Sequence, residues 1–195
     1  MKPEICHFSL QPSAFSLSVP LPKLNLGCGH DIRAGYLNLD AAPLPGVDLV
    51  HDIHHRPWPF PDATFREVLC QSILEHVDLV PTLREIHRVL QPGGRLRLTV
   101  PHFTSVYAFQ DPTHRNLITC GTFDFFTRHS HRPYYFDFAF HEIESLRLHF
   151  GRRRLFWWNP LLERWVNAHP GRRALYETSP LRLFPASHIT AILKK

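Results

Sequence analysis

Short apolar runs and alternations mark out strands along this chain. Lys23 to Leu26, Tyr36 to Asp40, Val47 to Asp52, Phe65 to Cys70 and Leu96 to Val100 each read as one, His188 to Leu193 closes the set, and Phe138 to Phe150 is long enough for another. The spacing changes between Val80 and Leu90. There Leu83, Ile86, Val89 and Leu90 recur at helical intervals with Arg84, Glu85 and Arg88 between them, which predicts an amphipathic helix. Gln91-Pro92-Gly93-Gly94 stops it, because proline cannot continue a helix and glycine turns the chain. A second helix opens at Asn159-Pro160 and sets Leu161, Leu162, Trp165 and Val166 on one face.

The connections are uneven. Asp31 to Gly35 has room for at most a turn or two of helix, and only Ala41 to Gly46 separates the second strand from the third. Parallel neighbours ordinarily need a dozen or more residues to cross over. Either this crossover is a bare loop with extended prolines, or the third strand lies elsewhere. His54 to Ala63 is a proline-rich loop carrying Trp58 and Phe60, and residues 1 to 20, with Pro3, Pro12 and Pro20, read as an irregular extension. His102 to Phe136 loses steady periodicity and is dense in aromatic and histidine residues, as expected of a long functional insertion in a compact domain.

Composition narrows the class. With 195 residues, 44% of them hydrophobic, and no apolar run of bilayer length, the chain suits one globular domain without a membrane span. Nothing near Met1 resembles a secretory signal, so a cytoplasmic location is expected. Four scattered cysteines, Cys6, Cys28, Cys70 and Cys120, argue against a disulfide framework or a cysteine zinc site. The net charge of +5 includes Arg152-Arg153-Arg154 and Arg172-Arg173, which suit an acidic substrate or nucleic acid but more often form solvated surface.

The first strand runs into Gly27-Cys28-Gly29, and the second ends at Asp40. A glycine turn after a strand lets a ligand approach backbone, and an acid after the next strand can grip two ribose hydroxyls. Tight turns also use glycine for backbone reasons alone.

Taken together, Leu24-Asn25-Leu26-Gly27-Cys28-Gly29, Leu39-Asp40, His51-Asp52-Ile53, Ser72-Ile73-Leu74-Glu75-His76-Val77 and Arg84 to Leu96 resemble the class I S-adenosylmethionine-dependent methyltransferases. The resemblance spans Lys23 to Pro101. It implies an α/β, Rossmann-like, doubly wound, mostly parallel seven-stranded sheet with helices on both faces. It also implies S-adenosyl-L-methionine as cofactor, bound by the Gly27-Cys28-Gly29 turn, by Asp40 at the ribose, by Asp52 and Ile53 at the adenine, and by Gln71 near the sulfonium. Asn25 stands where the family often has an acid, so it would offer the cofactor's amino group a neutral hydrogen bond. Glu75 and His76 would belong to the helix start that closes the pocket.

An oxygen acceptor must also lose a proton, a task suited to histidine. His102, just past Pro101, and His114 with Asp111 in Asp111-Pro112-Thr113-His114 are the expected catalytic groups. His102, Asp111 and His114 are also common ligand types, but hydrogen-bonded loop histidines are the commoner case and no metal site is assigned. Phe123, Phe125, Phe126, Tyr134, Tyr135 and Phe136 more often fold an insertion down than line an acceptor pocket. The function read here is methyl transfer to a small-molecule or glycan-like acceptor. Its rivals are a non-catalytic cofactor-binding protein and a nucleic-acid-directed methyltransferase, the latter suggested by charge alone.

Overall fold

The computed structural model describes residues 23–151 and 156–195; the extension expected over 1–20 and the Arg152-Arg153-Arg154 run lie outside them. The strands are β1 (Lys23–Leu26), β2 (Tyr36–Asp40), β3 (Leu49–Val50), β4 (Phe65–Gln71), β5 (Leu90–Pro101), β6 (Glu142–Phe150) and β7 (Ala186–Lys194). They form one sheet in the order β3-β2-β1-β4-β5-β7-β6. β1 to β5 pair in parallel, and β7 runs antiparallel to both β5 and β6. This is the Rossmann-like sheet that the sequence resemblance implies, and the chain crosses from β2 to β3 by the bare loop.

Register divides the sheet into two unlike faces. Leu26, Leu39, Cys70, Leu98 and Ala191 stand side by side on neighbouring strands, and each is at most 2% exposed. Helix α1 (Leu79–Val89) covers this face with Leu83, Ile86 and Val89, all fully buried. Phe123 and Phe126, from a 3-10 helix at Cys120–Phe126, join the same core, as does Tyr176 of α4 (Pro170–Thr178). The opposite face carries Asn25, Asn38, Glu67, Arg97, Thr99 and Thr190. Helices on both faces are expected. On this second face, among the described residues, the side chains satisfy one another instead: Glu67 accepts from Arg97 at 2.9 Å and from Tyr36, and pairs with Lys23 at 3.5 Å.

The boundaries shift where tertiary bonds replace local pattern. β3 shrinks from the expected Val47–Asp52 to Leu49–Val50, because the carboxylate of Asp48 accepts from the backbone N–H of Asn38 at 2.7 Å in place of a ladder bond. β5 begins six residues early. Its Gly94 passes so close to β4 that an added Cβ would lie 3.2 Å from the carbonyl of Arg66. β6 starts at Glu142 and not Phe138, since Phe138 and Phe140 pack against His87 of α1.

Helix α3 (Asn159–Asn167) begins where expected but presents a different face. Asn159, Glu163 and Val166 are buried, whereas Leu161 is 66% and Trp165 36% exposed. The reason is polar. Asn167 both donates to the carbonyl of Leu148 at 2.7 Å and accepts from its N–H at 2.9 Å, and Glu163 accepts from Phe150 N–H at 3.2 Å. The helix thus satisfies the free edge of β6 and protects it from pairing with another chain. Between α1 and α3 lie, among the described residues, the short helix α2 (Tyr107–Gln110) and the 3-10 helix Cys120–Phe126. Among the described residues, no helix is long and apolar enough to cross a membrane.

Candidate active site

The turn after β1 depends on both of its glycines, for different reasons. Gly27 has φ 63°, and an added Cβ would lie 2.6 Å from the side chain of Ile73; Gly29 has φ 50° and nothing within 4 Å. Gly27 therefore seats the segment after β4, and Gly29 opens to solvent. Asp40, at the end of β2, ties the turn down: Oδ2 accepts from Gly29 N–H at 2.7 Å and Oδ1 from Ala42 N–H at 2.9 Å. Cys28 donates its N–H to Leu39 O at 3.0 Å, while burial, followed by Asp40, raises its thiol pKa. It acts as a small buried side chain.

Asn25 spends its amide donor within the protein. Its amide donates to the carbonyl of Asp31 at 2.7 Å and to Oδ1 of Asn38 at 3.1 Å, and Asn38 Oδ1 also accepts from Arg33 N–H at 2.9 Å. Buried to 2% exposure, it holds the 31–33 turn against β2. Asp52 accepts from His54 N–H at 2.9 Å, and that bond leads the causes that keep its carboxyl below the ordinary range. Ile53 is buried, its carbonyl accepting from the indole of Trp58 at 3.0 Å. Gln71 is exposed at the end of β4 and accepts from Arg33 at 2.7 Å. Ser72 follows with φ 51°, a strained conformation that turns the chain sharply off the sheet.

His102 lies just past the end of β5 and is enclosed by the protein. It is fully buried, with Nδ1 2.7 Å from Thr104 Oγ1 and Nε2 2.9 Å from Glu177 Oε1. Both ring nitrogens are engaged inside the protein. Burial pushes Glu177 up, but His102 and the amide of Cys120, which donates to it at 2.7 Å, more than offset this and hold it below the usual carboxylate range. His102, expected as a catalytic group, is thus bonded within the fold, and it is not grouped with His114.

His114 instead meets Glu75 and His76. The backbone N–H groups of Arg115 and Asn116 donate to Glu75 O at 2.7 and 3.2 Å, and the Asn116 amide donates to Leu74 O and Val77 O. This clasp fastens the insertion to the turn after β4 and brings the rings of His76 and His114 to 4.5 Å. Glu75 is not a first-turn acid, because α1 starts at Leu79; burial pushes its carboxyl up to about 7. Asp111 caps its own turn, accepting from Thr113 N–H at 2.8 Å and Oγ1 at 2.6 Å. The signal for this grouping was present in Leu74-Glu75-His76-Val77, but the partner lies 38 residues beyond His76, at His114. Of the aromatics, Phe123 and Phe126 fold the insertion down while Tyr134 is 78% exposed. A cavity of about 660 Å³ lies elsewhere, between the 3-10 helix, β6 and α4, and holds none of the expected site residues.

Residues 24–98 match a family model described as a methyltransferase domain. A 42-residue stretch is 48% identical to an uncharacterised protein of Methanocaldococcus jannaschii, covering 22% of this chain and 19% of that protein. Among solved structures, an S-adenosylmethionine-dependent methyltransferase from Archaeoglobus fulgidus superposes with TM-score 0.60 at 17% identity, over 89% of this chain and 86% of the other. One from Mesorhizobium loti gives TM-score 0.50 at 15% identity over 91% and 94%. The cyclase SpnF gives 0.54 at 18% over 92% and 76%. At these identities the superpositions speak for the fold, which serves more than one reaction.

Proposed function

We propose, from the match of residues 24–98 to a methyltransferase-domain model and from the sheet, that this chain is a class I S-adenosylmethionine-dependent methyltransferase that methylates an oxygen of a small-molecule or glycan-like acceptor. When bound, S-adenosylmethionine supplies an electrophilic methyl group on a sulfonium. The residues at the ends of β1, β2 and β4 fit it: Gly29 leaves open space beside exposed backbone, and Asp40 is already oriented by two N–H donors, with lone pairs remaining for ribose hydroxyls. Asp52, held ionised, would accept from the adenine amino group, with Ile53 as apolar wall. Gln71 would border the sulfonium.

The supporting observation is the shared rim. Ile73 packs into the space that Gly27 leaves, and two residues on begins the Glu75, His76 and His114 group, so cofactor turn and acceptor-side imidazoles hang from one short segment. Methyl transfer is an in-line displacement that mainly requires the acceptor to be held close and aligned. Removal of the hydroxyl proton is assigned to the His114 side of the site, with Asp111 orienting its turn.

The test is calorimetric titration with S-adenosylmethionine, with NAD as control. The expected result is micromolar affinity for the former alone, weakened by roughly tenfold or more in Asp40→Ala, as for loss of hydrogen bonds to a charged group. Undiminished binding by the variant would remove the ribose assignment, and failure of the wild-type chain to bind would remove the proposal.

A further inference from the structure

Glu75 is 1% exposed, and neither of its carboxylate oxygens has a hydrogen-bond partner. A buried carboxylate left unpaired is costly, so it requires a proton or a cation. Two imidazoles stand beside it. One ligand atom from each of Glu75, His76 and His114 lies within 4.8 Å of the other two. Around a metal ion with bonds of about 2.0–2.2 Å, neighbouring ligand atoms sit roughly 3–4 Å apart, so small side-chain rotations bring all three into range.

The hydrogen bonds behind the two rings select the form of histidine that binds metal. Thr113 Oγ1 donates to Asp111 Oδ1 at 2.6 Å, so toward His76 Nδ1, at 2.9 Å, it can only accept. His76 therefore carries its proton on Nδ1. His114 Nδ1 faces the carbonyl of Ala108 at 3.2 Å and carries its proton there for the same reason. Each ring is left with an Nε2 lone pair, held in orientation by a partner on its other nitrogen, as in known histidine metal sites.

We propose that Glu75, His76 and His114 bind a divalent first-row transition metal ion of the zinc type, which takes the hydroxyl of the acceptor as a further ligand; the second half of this statement rests on the methyltransferase reading. Two imidazoles and one carboxylate suit such an ion better than magnesium or calcium, which favour all-oxygen shells. Three protein ligands leave a position open for substrate. A hydroxyl bound there loses its proton to solvent water, the bonding pair staying on oxygen, at a pH far below its ordinary value. His114 then serves as a ligand, and the ion does the acidifying.

The full chain, stripped with chelator, is titrated with Zn²⁺ by calorimetry and with Co²⁺ for its ligand-field absorption, alongside Glu75→Gln, His76→Gln and His114→Gln. One equivalent is expected to bind the wild-type chain and raise its melting temperature, and each variant is expected to bind at least about tenfold more weakly. Thr113→Val, which leaves the three ligands in place but removes the hydroxyl that orients His76 and also donates to Asp111, should weaken binding by about 10–100-fold, and His141→Gln, on the exposed surface, should not. Because glutamine carries no charge into the buried position, Glu75→Gln should fold without metal. Absence of binding to the wild-type chain, or wild-type affinity in all three ligand variants, overturns the site. Titration with S-adenosylmethionine in parallel separates the two readings: metal binding without cofactor binding removes the methyltransferase assignment and leaves the ion site, and the reverse removes the ion site alone.

Discussion

His102 Nε2 lies 2.9 Å from Glu177 Oε1, a bond that spans 75 residues and pins α4 against the end of β5. Removing His102 takes away one hydrogen-bond partner of Glu177 and leaves it the Cys120 N–H at 2.7 Å, at a cost of about 1–3 kcal/mol. His102→Leu is therefore expected to lower the thermal midpoint, while the folded fraction keeps its affinity for S-adenosylmethionine. Calorimetry below the midpoint checks this. A variant of wild-type stability that had lost only turnover would return His102 to a catalytic role.

Asn25 offers a counter-intuitive substitution. Asn25→Asp restores the acid common in the family, but places a carboxylate against the carbonyl of Asp31 and Oδ1 of Asn38, which only accept. The expected loss is about 1–3 kcal/mol in urea unfolding, the cost of buried polar groups without partners. Cofactor affinity should fall with it, because the 31–33 turn loosens.

The two glycines should separate stability from binding. Alanine at Gly27 meets both a positive φ and Ile73 at 2.6 Å, so Gly27→Ala is expected to destabilise by more than the ~1–2 kcal/mol of left-handed strain alone. Gly29→Ala has open space and should suffer only the strain, yet weaken cofactor binding by intruding on it. Melting curves and titrations of the pair read out the contrast.

His87 sets a pH dependence. Burial, then Lys195, pushes its pKa down to about 4, whereas in the unfolded chain it titrates near 6.5. Between those values the unfolded state holds more protons, so stability is complete above about pH 6.5 and falls as pH drops toward 4. His87→Gln is expected to flatten this part of the profile, and urea midpoints measured across the range show whether it does.

The first half of the sheet was readable from the chain because its signals are local. β1 and β2 occupy the residues their alternation predicts, and α1 differs from the expected Val80–Leu90 by one residue at each end. α4 was not foreseen, because Pro170-Gly171 looks like a break. In the structure the proline is the first helical residue, where its missing N–H costs nothing, and the ring of His169 caps Gly171 N–H at 3.0 Å.

What the sequence determined by itself was the apolar face of the sheet, the glycine turn and Asp40, since strand period, turn chemistry and motif spacing all act within a few residues. What only the tertiary structure decided was the company each histidine keeps. His102 and His114 stand in the same insertion with similar neighbours, yet one is buried against Glu177 and the other is brought by Arg115 and Asn116 to Glu75 and His76. Hydrogen bonds between residues tens of positions apart made that choice, and no pattern along the chain encodes which distant backbone a side chain will reach.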